Sequence, residues 1–157
     1  MKIMKLVAKI IPPDNYQHRN GFTNTELINR LTKHEKELVE NELIKMLLDK
    51  TDLMIVETLA YMKSEKSLFI LNNLLEQCSD DMIKIIISSS IFEINKDENM
   101  ICISINAFKG LDDMYQKISA FYYLRKFDNT NTDNLIEEYT NHSEYLLSYN
   151  AKKALNK

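Results

Sequence analysis

The side chains that most often bind metals or act as nucleophiles are few and far apart in this sequence. The three histidines, His18, His34 and His142, do not occur at the i, i+3 or i, i+4 spacing that places two ligands on one helix face. The two cysteines, Cys78 and Cys102, stand 24 positions apart in apolar stretches where a small hydrophobic residue would fit. We therefore expect no metal site and no cofactor, and we expect both cysteines to lie in the core.

Acidic residues occur in adjacent pairs, and paired carboxylates are the chemistry that an acid–base hydrolase would need. The pairs are Asp80-Asp81, Asp97-Glu98, Asp112-Asp113 and Glu137-Glu138. Each pair falls at a predicted helix start or on an exposed face, where capping and solvation account for it. We assign no catalytic residue. An enzyme remains an alternative, because the sequence does not show which acids converge in space.

Tyrosine is concentrated towards the end of the chain. Of the eight tyrosines, six fall within the last 43 residues, namely Tyr115, Tyr122, Tyr123, Tyr139, Tyr145 and Tyr149. Tyrosine is enriched at protein interfaces because its ring offers a large contact area at low entropic cost and carries a polar tip. The same rings would also serve to pack helices together with their hydroxyls reaching water, and the sequence leaves both interpretations open.

Glycine and proline, which form the tight turns of many folds, are scarce. The 157 residues contain two of each, where average usage would give about eleven glycines and eight prolines. Sandwiches, barrels and Rossmann-type folds need these residues at tight turns, so the scarcity of glycine and proline disfavours all three kinds of fold. Gly21 and Gly110 stand 89 positions apart, so a glycine-rich phosphate loop is also excluded.

The charge balance is mildly acidic, with a formal net charge of −3. Residues 1–50 carry a net +2 and residues 51–157 a net −5, which disfavours a nucleic-acid partner. Lysines interrupt the opening MKIMKLVAKII, which is not typical of a secretory signal, and the apolar runs at 85–92 and 100–108 are too short to span a bilayer. We expect a cytoplasmic protein that binds neither nucleic acid nor membrane.

Helix-starting residues recur along the chain after a break at Pro12-Pro13-Asp14-Asn15. Thr23 with Glu26 and Thr32 with Glu35 have the spacing of capping boxes. Residues 1–11 fit a helix or a short strand, and residues 100–106 alternate in a way that is also typical of a strand. We favour helix at 100–106 because of the repeat described next. The pattern predicts nine or ten helices, over roughly 2–11, 24–31, 33–49, 52–62, 65–78, 81–95, 98–110, 113–127, 132–141 and 143–155.

The predicted helices recur in pairs with a period near 32 residues. Late apolar anchors in the second helix of each pair, Leu59, Phe92, Leu124 and Leu155, are separated by 33, 32 and 31 positions. Within the central repeat, residues 88–90 are three serines, small enough to let a neighbouring helix approach closely. We expect Gly110, at the end of a helix, to adopt a left-handed conformation.

The stretch DLMIVETLAYMKSEKSLFILNNLLEQCSDDMIKIIISSSIFEINKDENMICISINAFKGL, residues 52–111, resembles two successive helix–turn–helix units of the HEAT-repeat family. This resemblance implies an all-α fold, a right-handed α-α superhelix made as a short solenoid of about four helix pairs. It implies one domain over residues 1–157, in which residues 1–22 form an N-terminal segment and loop and residues 23–157 form the helical repeats. Some HEAT-like solenoids are DNA glycosylases, but the acidic charge and the absence of Trp disfavour that activity here.

The leading hypothesis is a non-enzymatic module that holds a protein partner on the concave surface lined by its second helices. The candidate contacts are the outward residues of those helices: Glu57, Tyr61, Lys84, Tyr115, Tyr122, Arg125, Tyr149 and Lys152. Such a protein could be a small adaptor, or a bacterial immunity-type protein that occludes a basic toxin, since an acidic surface steers a basic partner. The alternatives are a HEAT-like lyase or hydrolase with a pocket in the concave face, and a structural subunit or homo-oligomer that associates through an exposed solenoid end. Residues 1–11 are the expected apolar patch at such an end.

Overall fold

A computed structural model describes residues 2–157, and all regular structure in that range is helical, which confirms the all-α class. Eleven α-helices and a 3-10 helix, Glu65–Ser67, are present in this part of the chain. The α-helices are α1 Lys2–Ile10, α2 Tyr16–Arg19, α3 Thr25–Asn29, α4 Lys33–Asp49, α5 Leu53–Tyr61, α6 Leu68–Gln77, α7 Asp81–Asn95, α8 Asn99–Lys109, α9 Met114–Arg125, α10 Thr130–Glu137 and α11 Tyr145–Ala154.

The helix boundaries follow the predicted pattern closely, with one addition. The segment around residues 15–22 was expected to be loop, but it contains the one-turn helix α2, which Asn15 caps by accepting a hydrogen bond from the backbone N–H of His18 at 3.1 Å. Two segments with a competing strand pattern are helical where the structure describes them, over residues 2–10 and 100–106. Each lies in a helix with one buried face, and this amphipathic packing outweighs local strand propensity.

The two predicted capping boxes differ in outcome. Thr32 and Glu35 form a complete box at the start of α4, with each side chain bonded to the backbone N–H of the other. The box predicted at Thr23 is wrong, because α3 begins at Thr25 and its N-cap is Asn24. The amide of Asn24 is turned into the core, where it donates to the carbonyl of Ile10 at 3.0 Å and to Thr58 Oγ1 at 2.8 Å.

Left-handed residues other than glycine end the second helix of each pair. Lys63, Lys96, Asp128 and Asn156, which follow α5, α7, α9 and α11, have φ between 45° and 59°. The left-handed conformation predicted for Gly110 is wrong, since its φ is −82°. The absence of a Cβ atom at Gly110 leaves room for the side-chain carboxylate of Asp81.

The helices from α4 onwards pack as two sets. In the first set α4 contacts α6, and α8 contacts α10; in the second set α5 contacts α7, α7 contacts α9, and α9 contacts α11. The helix α7 also packs on α6 and α8, and its serines 88–90 are fully buried. Ser88 Oγ lies 2.5 Å from Ser104 Oγ of α8, so the small residues allow the close approach that their size predicts.

The N-terminal segment is fixed to the repeats by one side of α1 and by α2. Val7, Ile10 and Ile11 are buried, and α1 packs on α4. Arg19 of α2 pairs with Asp52 in a bidentate arrangement, with Nη1–Oδ1 and Nη2–Oδ2 distances of 2.7 and 2.6 Å. Part of the apolar face of α1 is therefore used against the core, while Met4 remains exposed and Ile3 and Leu6 are half-buried.

The cysteines differ from the core position predicted for both. Cys78 is half-buried and Cys102 is exposed. The buried side of α8 is formed by Met100, Ile101, Ser104, Ala107 and Phe108. Cys102 lies on the opposite side of that helix, so its apolar sequence neighbours do not cover it.

Candidate functional site

The second helices present a continuous surface with two adjoining recesses. The central recess, of about 460 Å³, lies where the loop before α3 meets α5, the end of α7 and the end of α9. A neighbouring recess of about 620 Å³ continues between α9 and α11. Both include Glu93, Tyr122 and Lys126, so these three side chains form the boundary between them.

Lys126 is the cation at this boundary, and its surroundings determine what the surface can hold. Its Nζ lies 3.2 Å from Glu93 Oε1, and the two side chains are only 18% and 22% exposed. The same Nζ lies 5.0 Å from the ring centroid of Tyr122 and 5.3 Å from that of Tyr123. A carboxylate and two aromatic faces thus share one ammonium group, an arrangement in which ion pairing and cation–π attraction act together.

Glu57 of α5 is the second carboxylate of the central recess and is half-buried. Among residues 2–157 it takes part in none of the ion pairs. Burial, followed by the negative charge of Glu57 and a weaker effect of Glu93, raises the pKa of the Tyr123 phenol well above its ordinary value. Tyr123 therefore stays a neutral hydrogen-bond donor beside this carboxylate.

Two exposed tyrosines form the rim of the central recess. The ring of Tyr61 is held by a hydrogen bond from its hydroxyl to Asn29 Oδ1 at 2.9 Å, and 41% of the residue remains exposed. Tyr122 is 61% exposed and packs edge-on against Tyr123, with 5.1 Å between ring centroids. Phe22 and Met54 complete the apolar part of the wall. The predicted residues Glu57, Tyr61 and Tyr122 are therefore brought together in one place.

Two further predicted residues lie close to this site along the same set of helices. Arg125 lines the neighbouring recess and pairs with Asp133 of α10 at 2.5 Å. Tyr115 is 65% exposed and lines a third hollow, of about 350 Å³, together with Met82 and Ile86 of α7.

The remaining three predicted residues lie elsewhere. Lys84 pairs with Asp81 at 3.2 Å and faces a groove between α6 and α8, on the side of the first helices. Tyr149 stacks on Tyr145, with 5.8 Å between centroids, on the side of α11 opposite the residues that face α9, and Lys152 is exposed on the same side. These residues do not share the central recess.

Sequence reasoning did not identify Glu93 and Lys126 as members of the site, and it named Tyr123 only among the tyrosines that could either form an interface or pack helices together. For Lys126 a signal was present, because it stands four positions after Tyr122, and residues at i and i+4 on a helix lie side by side. For Glu93 the signal was weak, since the apolar residues that surround it in the sequence of α7 conceal which face of that helix is exposed.

A separate apolar groove of about 530 Å³ lies between α1 and α4, at the opposite end of the helix set from α11. Its walls include Ile3, Leu6 and Leu38, and lysines of α1 stand at its edge. It is the part of the predicted N-terminal patch that the core does not cover.

Two carboxylates have resolved pKa shifts, and both shifts arise from structural contacts. Burial alone would raise the pKa of Asp52, but the hydrogen bonds and charge of Arg19 hold it below its usual value. Hydrogen bonds from Thr32 lower the pKa of Glu35. Within residues 2–157, no group of three or more His, Cys, Asp or Glu side chains is arranged to hold a metal ion.

Comparison of the chain with protein-family models, with curated proteins and with solved structures gives no match. Over the same described residues, none of the helices combines the length and the apolar character that crossing a bilayer requires.

Proposed function

We propose that this protein is a non-enzymatic binding module, built as a short right-handed α-α superhelix of HEAT-like helix pairs, that holds a protein partner on the surface of α5, α7, α9 and α11. The superhelix is supported by the successive contacts between these second helices. It is also supported by the left-handed residues that end each of them, since Lys63, Lys96 and Asp128 recur at intervals of 33 and 32.

The observation that carries the proposal is the set of exposed tyrosines around the central recess. Tyr61 and Tyr122 stand on its rim with half or nearly half of their surface free, although burying an aromatic ring is favourable. Exposed aromatic residues next to a desolvated ion pair are typical of the centre of a protein interface. Its acids are Glu57 and Glu93, and Glu93 is held in an ion pair with Lys126.

The charge of the central recess favours a basic partner. Residues 51–157 carry a net −5, but α5, α7, α9 and α11 themselves carry a net +2, so most of this acidity lies outside the second helices. On the proposed surface the negative charge is local to the central recess, where Glu57 and Glu93 outnumber Lys126. A small cytoplasmic adaptor, or an immunity-type protein that occludes a basic toxin, fits this surface.

Site-specific photo-crosslinking tests the proposal. A photoreactive phenylalanine analogue is introduced at Tyr122 and, as a control, at Phe69, which is 78% exposed on α6 of the other helix set. We expect irradiation in cells of the native host to link a protein to position 122 and not to position 69. Labelling from position 69 alone would refute the assignment of the surface. Linkage of position 122 only to further copies of the same chain would show a homo-oligomer in place of a separate partner.

A further inference from the structure

The central recess contains a carboxylate whose charge the protein itself does not neutralise. Its charged side chains are Glu57, Glu93 and Lys126. The last two pair with each other at 3.2 Å, which leaves Glu57 as the net charge of the recess. Partial burial reduces the hydration of this carboxylate, so a cation that reached it would gain more than it would at an open surface.

The same surface already shows how a cation is held there. Lys126 Nζ is bound by one glutamate and lies over two tyrosine rings. Glu57 lies in the same recess, with the phenol of Tyr123 beside it and the rings of Tyr61 and Tyr122 on the rim. Glu93 is neutralised by Lys126, whereas Glu57 forms no ion pair among residues 2–157.

We propose that the central recess receives a lysine or arginine side chain of the protein partner, with its charged group paired to Glu57 and its stem against Tyr61 and Tyr122. This inference rests on the proposed function and adds the chemistry of the partner. The volume of about 460 Å³ accommodates one long side chain together with part of the adjoining backbone. The apolar wall of Phe22 and Met54 suits the methylene stem, and the carboxylate suits the charged end.

Short peptides with a single basic residue test the inference directly. The probe is acetyl-Ala-Ala-Arg-Ala-Ala-amide, its lysine counterpart is a second probe, and the citrulline peptide is the matched neutral control. We expect backbone NMR titrations to show shifts at Glu57, Tyr61 and Tyr122 with the basic peptides, weakening as salt is added, and none with citrulline. The citrulline comparison changes the ligand only, so it does not depend on how a protein variant folds.

Protein variants then locate the charge. Glu57→Gln should weaken arginine-peptide binding about tenfold, because a charge-assisted pair is lost while the side-chain size is kept. Glu138→Gln, which makes the same change at an exposed position outside the recess, should leave binding unaltered. Tyr122→Leu should weaken binding about threefold through loss of the ring face, and Tyr122→Phe should not.

The outcomes separate this inference from the proposed function. Equal titration by the citrulline and arginine peptides, or unchanged binding in Glu57→Gln, would refute the cationic side chain. Crosslinking from position 122 would persist in that case and would leave the binding surface standing. Tighter binding of free putrescine than of either basic peptide would instead show that the recess takes a small amine, which would overturn the assignment to a protein partner.

Discussion

Asp52 performs two functions that a single substitution, Asp52→Asn, separates. Its Oδ1 accepts the N-cap hydrogen bond from the backbone N–H of Met54 at 3.0 Å, which starts α5. Its two oxygens also form the bidentate pair with Arg19, which fixes the N-terminal segment. Asparagine is as good an N-cap residue as aspartate, so the variant removes the charge pair and keeps the cap.

The expected magnitude follows from the geometry of the pair. The two charge-assisted hydrogen bonds are 2.7 and 2.6 Å long, and the side chains of Arg19 and Asp52 are 16% and 12% exposed. A hydrogen bond to a charged group contributes about 1.5–3 kcal/mol, and Asn can still accept one of the two. Arg19 also keeps its bonds to the carbonyl of Pro12, at 3.1 and 3.0 Å. We expect Asp52→Asn to lower the free energy of unfolding by about 2 kcal/mol at neutral pH, or the melting temperature by about 4–8 °C.

The pH dependence has a definite sign. Because the pKa of Asp52 is lowered in the folded state, the pair contributes fully above the unfolded-state pKa of about 4 and is lost as the pH falls through the lower folded-state pKa. The pKa of Arg19 is raised by the hydrogen bond and charge of Asp52, so this partner stays protonated. The difference between the wild-type protein and Asp52→Asn should therefore shrink on acidification.

Urea unfolding followed by far-ultraviolet circular dichroism measures both quantities. The matched control is Glu26→Gln, which breaks the exposed Arg30–Glu26 pair and should change the free energy of unfolding by less than about 0.5 kcal/mol. A change no larger than this control in Asp52→Asn at neutral pH, or a difference that grows on acidification, would refute the reasoning.

Three further predictions, on the buried serines, on Asp128 and on Gly110, are tested by the same unfolding measurements. Ser90→Ala should raise the free energy of unfolding by about 1 kcal/mol, because the buried Ser90 hydroxyl has no hydrogen-bond partner among the described residues. Ser88→Ala should lower the free energy of unfolding by a similar amount, because the Ser88 hydroxyl is hydrogen-bonded. Equal effects at both positions would contradict this account. Asp128→Gly should raise it by about 0.5–1 kcal/mol by relieving the left-handed conformation, and Asp128→Ala should give no gain. Gly110→Ala should change it by less than about 1 kcal/mol, because a φ of −82° suits alanine and the Asp81 carboxylate that a Cβ atom would meet can rotate away; a larger loss, relieved when Asp81 is also alanine, would show that this carboxylate cannot move.

Local sequence signals predicted the helices well because most of them are determined by nearby residues. The box of Thr32 and Glu35 needs only its own four residues and forms as expected. The box at Thr23 fails because the adjacent Asn24 is recruited by a buried carbonyl of Ile10, fourteen residues earlier. Such a contact is invisible to any local pattern, and it determines where α3 begins.

The candidate site was predicted only in part, because the direction of a side chain depends on which faces of a helix are covered. Three of the eight proposed contacts, Glu57, Tyr61 and Tyr122, line one recess. Lys84 was predicted to lie on the binding surface, but it faces the first helices. The error arises because α7 is apolar nearly all round, so its exposed side cannot be identified from its own sequence. Gly110 illustrates a similar limit, since its small size serves a neighbouring carboxylate and not the backbone.

The tyrosines also give the protein optical properties that suit the study of complexes. The chain has no Trp, and Tyr122 and Tyr123 lie at the boundary of the central recess, with Tyr61 on its rim. Its intrinsic fluorescence is therefore dominated by tyrosine, and three of the eight tyrosines lie in or beside the proposed binding surface. Light absorbed only by tryptophan would excite a tryptophan-containing partner selectively. Because the chain has no Trp, the tryptophan fluorescence of a complex would come from the partner alone, and this protein would need no label.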